Sequence, residues 1–432
     1  MDKIGVVVCN YNKSKDLDNC ITSILESTCK DIEIYVVDNA SKDNSLELLH
    51  NKYEEKVYII ENTQNLGGSG GFNTGLRAVM KENFKYLMCI DNDAMIDENA
   101  IEKLKEFLDE HEECGMACAK VYNTSNPNIV QQYGIKVDFN DFCVKSPYAG
   151  RIEDGTMPDY VYCDAVPACA LMLRKEVINE IGVMPEENFL YWDDTTWCRR
   201  CTTAGYKIAC VGDAKALHAM GAKKEVENTF PTYYAWRNWI KFYIEFTKDE
   251  ELERMSEVFL RNLFVALYDS EYNEETYRIS TIMAAFNDAI YGVYGKARDG
   301  IIGKIKNLYK REKKIIKRYK IINIKSNNLV EDAQRLKLKL ERIALEMGKN
   351  IIVRVDGLGK PDIVMCDYIF ILDDLSLEYI YADKNENILL NEEDTFYVMN
   401  FAYSKKVFHD MYKELFIRQA KYLRDKEKNG FS

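Results

Sequence analysis

The segment YLMCIDNDAM, Tyr86 to Met95, decides the fold. Five apolar residues followed at once by Asp91-Asn92-Asp93 read as a buried strand that runs out into a polar edge. Three segments upstream have the same form: IGVVVCNYN (residues 4–12) ends in Asn10 and Asn12, IEIYVVDNAS (32–41) in Asp38, Asn39 and Ser41, and VYIIENT (57–63) leads to Asn65. Helical patterns alternate with them in LDNCITSILES (17–27), SLELLHNKYE (45–54) and GFNTGLRAVMKEN (71–83). This alternation predicts an α/β domain with an open, mostly parallel sheet and helices on both faces. Ligands of such sheets gather beyond the carboxyl ends of the strands, so all four polar endings belong to one candidate edge.

The chain has 432 residues, 47% of them hydrophobic, enough for two or three domains with sizeable cores. Its formal charge of −12 argues against non-specific binding of nucleic acid. The N-terminus turns polar after a short apolar run and no stretch has the length of a membrane span, which leads us to expect a cytoplasmic protein. Thirteen cysteines, an odd number, read as reduced thiols serving as small core residues. The pairs Cys114/Cys118 and Cys198/Cys201 have zinc-like spacing, but one falls in an apolar strand and the other in a helix, so a structural zinc site is not expected.

NTQNLGGSGGFNTGL, Asn62 to Leu76, carries five glycines in nine positions yet closes neither a G-x-G-x-x-G nor a P-loop. A flexible linker is one reading. The other is a loop after the third strand whose bare backbone at Gly68, Gly70 and Gly71 lets a sugar and a diphosphate approach closely.

Three acidic or imidazole positions invite chemical readings. Asp91 and Asp93, two apart at a strand end, either form an exposed turn or share a hard divalent cation with a diphosphate. In FLYWDD, Asp193 and Asp194 open a helix and could simply cap it, yet acids behind an aromatic wall also suit a general base. His218 lies just after the apolar run IACVGDAKAL; alone it reads as structural, in company as a metal ligand. His50, His111 and His409 have polar helical surroundings and no motif.

Taken in order, VVVCNYN, VVDNAS, NLGGSGGFNTG, DND, WDD and a downstream histidine resemble a family 2 nucleotide-sugar glycosyltransferase of the GT-A fold. The glycine stretch with FLYWDD and YYAWRN is similar to its galactofuranosyltransferase and rhamnosyltransferase branch. The resemblance covers roughly residues 3–243. It implies an inverting, metal-dependent transfer from a nucleotide sugar to a saccharide or lipid-linked acceptor in cell-surface polysaccharide synthesis, with UDP-galactofuranose favoured as donor and dTDP-rhamnose next. It further implies that Asn10, Asp38, Asn65, Gly68, Gly70, Gly71, Asp91 and Asp93 meet the donor. By the same resemblance Asp91, Asp93 and His218 bind Mn2+ or Mg2+, Asp194 is the catalytic base, and Trp192 and Asp193 line the acceptor side. FNTG replaces the family's usual Arg-Asn dipeptide, which leaves Arg77 as one option for the diphosphate. A sugar-phosphate nucleotidyltransferase is a second reading, weakened because CNYNKSKD lacks that class's glycine-rich basic loop; a non-catalytic carbohydrate-binding protein of the same fold is a third.

The chain divides by sequence into a catalytic domain (1–232), a helical region (233–345) and a small α+β region (346–432). In YYAWRNWIKFY the aromatic spacing favours a packed core helix, with Arg237 pairing an acid, over an acceptor site. Residues 304–325 carry ten Lys or Arg and one Glu and read as one basic helix, either simply solvated or lying on anionic headgroups at the inner membrane face. The runs IIVRV, DYIFIL, LEYIYADKNENILL and TFYVMNF predict a small antiparallel sheet before a last helix. These C-terminal elements also offer a surface for self-association.

Overall fold

The computed structural model describes residues 3–219, 228–306, 308–372, 378–390 and 392–428. It has two compact units: Met1–Met255 with Met283–Ile302 and Gln419–Ser432, and Ser256–Ile282 with Gly303–Arg418. These do not follow the boundaries expected near 232 and 345, because segments distant in sequence return to each unit.

In the first unit the expected series appears: β1 (Ile4–Asn10), α1 (Ser14–Leu25), β2 (Ile32–Asp38), α2 (Ser45–Leu48), β3 (Tyr58–Glu61), α3 (Gly67–Val79) and β4 (Tyr86–Asp91). It continues through β5 (Ala94–Ile96), α4 (Ala100–Glu110), β6 (Cys114–Asn123), β7 (Asn126–Gln132), β8 (Lys136–Asp138), β9 (Cys143–Lys145) and β10 (Tyr160–Cys163). The rest is β11 (Ala170–Arg174), α5 (Lys175–Ile181), α6 (Asp193–Thr203), β12 (Lys207–His218) and α7 (Phe230–Phe246). The sheet order is β10-β12-β6-β11-β4-β1-β2-β3. β4, β1, β2 and β3 are parallel, whereas β11 runs antiparallel between β4 and β6.

Alternation along β1 shows why both faces need covering. Ile4, Val6 and Val8 join one core with Leu17, Ile21 and Ile24 of α1, whereas Val7 joins another with Phe72, Leu76 and Val79 of α3. The residues of α1 that do this recur every three or four positions, the stripe of a helix laid on a sheet. All thirteen cysteines are free thiols, as expected.

The glycine stretch departs from the expected loop: the helix starts at Gly67, before the anticipated Gly71. Its glycines mostly permit packing. A Cβ on Gly71 would stand 2.3 Å from Cys9 Sγ, and one on Gly75 2.3 Å from Val7 Cγ1, so α3 can lie this close to β1 only without side chains there. Gly67 has φ +81°, and a Cβ would collide with the Phe189 carbonyl oxygen at 2.1 Å.

The second unit corrects two expectations. Its sheet comprises β13 (Ile321–Lys325), β14 (Ile352–Val355), β15 (Ile363–Cys366), β16 (Ile380–Asp383) and β17 (Ile388–Leu389). The order is β14-β13-β15-β16-β17, and only the β16–β17 pair is antiparallel. A helix, Val330–Glu346, joins β13 to β14, and such a crossover brings the second strand back parallel. TFYVMNF enters the helix Glu392–Lys428 rather than a strand, and DYIFIL forms a short 3-10 turn at Ile369–Ile371.

The basic run is not one helix either. Lys310–Arg318 is helical with Ile315 and Ile316 buried, the backbone becomes extended at Tyr319, and IINIK then forms the strand β13 inside the sheet. β-Branched alternation outweighs the charge pattern there. Two of its cations pair within the protein, Lys310 with Glu274 and Arg311 with Asp394, and the basic helix is limited to Lys310–Arg318. Among the described residues no helix is long and apolar enough to cross a membrane.

Candidate active site

At the carboxyl edge of the parallel strands the polar endings meet. Asn10 Nδ2 donates to Asp38 Oδ2 and to Ser41 Oγ, both at 3.2 Å, and Asn92 Nδ2 donates to Asn10 Oδ1 at 2.7 Å. Ser41 N donates to Asp38 Oδ1 at 2.8 Å, which occupies both oxygens of a carboxylate only 1% exposed. Asp38 thus shapes the β2 loop. Asn39 ties this edge to Asn65 (3.2 Å) and to the Gly67 carbonyl (2.9 Å).

β5 turns back antiparallel to β12 and sets His218 opposite Ala94, which brings the imidazole to the DND turn. His218 Nε2 lies 3.2 Å from Asp93 Oδ1 and 3.6 Å from Asp91 Oδ2. Its other ring nitrogen, Nδ1, contacts Gln131 Oε1 at 2.9 Å, which makes Nδ1 the donor and turns Nε2 toward the acids. Gln131, on β7, was missed in the sequence because nothing local marks it. The Lys13 ammonium also bonds Asp93, from the loop after β1.

Charge is crowded here. Burial raises Asp91 to about 6, opposed by His218 and reinforced by Asp93, even though 36% of its side chain remains open to water. Burial acts the same way on Asp93, but hydrogen bonds from His218 and Lys13 outweigh it and hold that carboxyl below its usual range. His218 moves upward: burial opposes its charge, and the Asp93 hydrogen bond and the Asp91 charge overcome that. One ligand atom from each of Asp91, Asp93 and His218 falls within 4.8 Å of the others. Two carboxylates aimed at an imidazole nitrogen suit a divalent cation such as Mn2+ or Mg2+ among them, so the residues fit the expected metal.

The second acidic pair sits at the start of α6. The segment before it is strained: Phe189, Tyr191 and Trp192 all have φ between 62° and 64°, in the left-handed region. Two fully buried residues of α7 hold it. Asn238 Nδ2 donates to the carbonyls of Asn188 (2.9 Å), Leu190 (2.8 Å) and Tyr191 (2.9 Å). Arg237 donates to the carbonyls of Asn188 at 2.8 Å and Gly295 at 2.6 Å. α7 is the packed core helix expected, but Arg237 bonds backbone carbonyls where an acid was expected, and with Asn238 it clamps the WDD loop.

Asp194 Oδ1 accepts from Thr195 N at 2.6 Å and Thr195 Oγ1 at 3.2 Å, and the Ala168 backbone N–H also donates to this carboxylate. Burial raises the proton affinity of Asp193 and Asp194 alike; for Asp193 the charge of the neighbouring Asp194 adds to it, as does that of Asp91. Trp192 packs its ring 5.2 Å from Phe242, whereas Tyr191, unremarked in the sequence, is 39% exposed.

The remaining expected donor residues are placed as follows. Gly68 N donates to the Phe189 carbonyl at 2.7 Å and Gly67 N to Asn65 Oδ1 at 2.8 Å, so the first N–H groups of α3 already have partners. A Cβ on Gly68 would lie 3.7 Å from Asp193 Oδ2, which puts that glycine beside the acids. Gly71 faces Cys9 and Asn39, and Gly70 borders a hollow of about 270 Å3 with Asn65, Leu66, Glu186, Phe189 and Lys296. Arg77 pairs with Glu186 at 2.6 Å.

Residues 5–181 match the family described as Glycosyl transferase family 2. Among proteins, the dTDP-rhamnosyl transferase RfbF of Shigella flexneri is 26% identical over 232 residues, 51% of this chain and 70% of that protein. Glycosyltransferase GlyG of Streptococcus pneumoniae serotype 4 is 26% identical over 269 residues, 61% of this chain and 86% of that protein. Among solved structures, the mannosyltransferase PcManGT from Pyrobaculum calidifontis, in complex with GDP-Man and Mn2+, aligns with a TM-score of 0.41 at 14% identity, covering 56% of this chain and 63% of that one.

Proposed function

With a family 2 glycosyltransferase domain over residues 5–181 as premise, we propose that the protein is an inverting glycosyltransferase that moves a sugar from a nucleotide donor to a saccharide or lipid-linked acceptor hydroxyl. The observation that carries this reading is the convergence of Asp91, Asp93 and His218 at the sheet edge, where Asp91 is close enough to interact electrostatically with both acids that open α6.

In this reading Asp194, oriented by Thr195 and Ala168, takes the proton from the acceptor hydroxyl as its oxygen attacks the anomeric carbon. The bond from that carbon to the diphosphate breaks, its electron pair leaves with the phosphate oxygen, and direct displacement inverts the centre. Burial raises the proton affinity of Asp194 above that of an ordinary carboxylate, in the direction a base needs. When bound among Asp91, Asp93 and His218, a divalent cation supplies charge neutralisation for the departing diphosphate. Asn10 and the loop shaped by Asp38 face the nucleotide, and Tyr191, Trp192 and Asp193 face the acceptor.

The favoured donor changes. NLGGSGGF and WDD together point to galactofuranose, but within NLGGSGGF Gly71 is needed to pack α3 on β1, and a relative covered over 70% of its length is named a dTDP-rhamnosyl transferase. We therefore place dTDP-rhamnose first and UDP-galactofuranose second. A panel of nucleotide sugars assayed with Mn2+ for donor hydrolysis tests this, with dTDP-rhamnose expected to be cleaved fastest. Turnover of no nucleotide sugar would overturn the reading.

A further inference from the structure

Lys13 is absorbed neither by the expected metal set nor by the base. It follows Asn12, whose φ of 54° turns the chain sharply after β1. That turn is held from the β2 loop: Asn12 N donates to Ser41 Oγ at 3.0 Å and Lys42 N to Asn12 Oδ1 at 2.7 Å. The backbone is therefore fixed while the side chain, 38% exposed, extends on a flexible stem to Asp93, whose own side chain is 11% exposed. Its ammonium takes Asp93 Oδ2, while His218 takes Oδ1.

Resting on the glycosyltransferase reading above, we propose that Lys13 is an exchangeable positive charge: it neutralises Asp93 until a divalent cation takes that carboxylate, and it then pairs with the donor's diphosphate. An ammonium and a divalent cation drawn to the same Asp93 oxygen repel one another, so each weakens the other's hold and the two compete. Once displaced, the ammonium stays tethered at the same strand edge, and its only change is of partner, from a carboxylate to a phosphate oxygen. Lys is suited to this, being a compact charge on four rotatable carbons rather than a planar fork. The family's Arg-Asn dipeptide is replaced here by FNTG, and Arg77 is engaged with Glu186 at 2.6 Å, so Lys13 supplies a basic group already at the site. Binding of cation and diphosphate is thereby coupled through one side chain.

The test uses the full chain, with Lys13→Met and Lys13→Arg, titrated calorimetrically with MnCl2 alone and then with dTDP and UDP at saturating Mn2+. Lys13→Met is expected to bind Mn2+ alone about fivefold tighter, since a competing ion pair is gone, and the preferred nucleotide about tenfold more weakly. Lys13→Arg, which keeps the charge, is expected to stay within about threefold of wild type for Mn2+. If Lys13 only props Asp93 in place, Lys13→Met weakens Mn2+ binding instead, and that result, or unchanged Mn2+ affinity, overturns the inference while leaving the glycosyltransferase reading intact. Absence of Mn2+ binding in wild type and variant alike overturns both.

Discussion

His218 Nε2 stands 3.2 Å from Asp93 Oδ1, although 125 residues of chain separate them in sequence (218 minus 93). The antiparallel pairing of β5 with β12 creates this contact, and the Gln131 bond at Nδ1 fixes its direction. Because two acids compete for one imidazole face, removing the ring should lower divalent-ion affinity strongly. We expect His218→Ala to weaken Mn2+ binding by about 100-fold and Gln131→Ala by about tenfold, read by calorimetry. Equal affinity in Gln131→Ala and wild type would show that the second contact does not orient the ring.

The paired acids at the start of α6 should separate by role. Asp194→Asn is expected to cut turnover by about 100-fold or more while metal-dependent nucleotide affinity stays near wild type. Asp193→Asn should act mainly on acceptor KM. Near-normal turnover in Asp194→Asn would move the base assignment elsewhere.

The same pair predicts a pH dependence of stability. Both carboxyls have folded proton affinities raised above the unfolded values by burial, so between those values the folded state holds protons that the unfolded state has lost. Stability conferred by the protonated forms therefore falls as pH climbs past the ordinary carboxylate range, then levels off. Asp193→Asn removes one ionisation, and its thermal stability relative to wild type should rise by about 1 kcal/mol at pH 8 and by less at pH 5. A gain of equal size at both values would contradict the shift.

Asn238 holds three carbonyls of a strained loop, so Asn238→Ala leaves one buried and two part-buried acceptors without that partner. We expect a loss of about 2–3 kcal/mol in stability and a larger loss in turnover than in Mn2+ affinity, because the loop carries Asp193 and Asp194 but not the DND turn. Chemical denaturation and calorimetry measure the two effects. Equal losses of turnover and Mn2+ affinity would mean the clamp supports the whole edge.

The first ninety residues were legible because apolar runs and helical stripes alternate without interruption, and the polar strand endings marked the site edge directly. Asp91, Asp93 and His218 were recognised from motif order, and the structure brings them together. Lys13 and Gln131 were not legible, since each acts on a partner tens of residues away and has no local signature; YYAWRN was visible as a motif, but not the carbonyls that Arg237 and Asn238 hold. The helix starting at Gly67 was not legible because composition does not distinguish a bare loop from a helix pressed onto a sheet; at Gly71 and Gly75 the clash a Cβ would make with Cys9 or Val7 does so. In the second unit IIVRV and LEYIYADKNENILL form strands while DYIFIL and TFYVMNF do not, and local alternation left strand direction open, which the helix between β13 and β14 determines.

In the proposed function Asp91 and Asp93 bind the donor through a divalent cation, which nucleotide titration with and without Mn2+ measures. Wild type should bind dTDP or UDP at least about tenfold more tightly with Mn2+ than with a chelator, and Asp91→Ala with Asp93→Ala should abolish that difference. Equal nucleotide affinity with and without Mn2+ in wild type, or a metal effect that survives in the double variant, would contradict it.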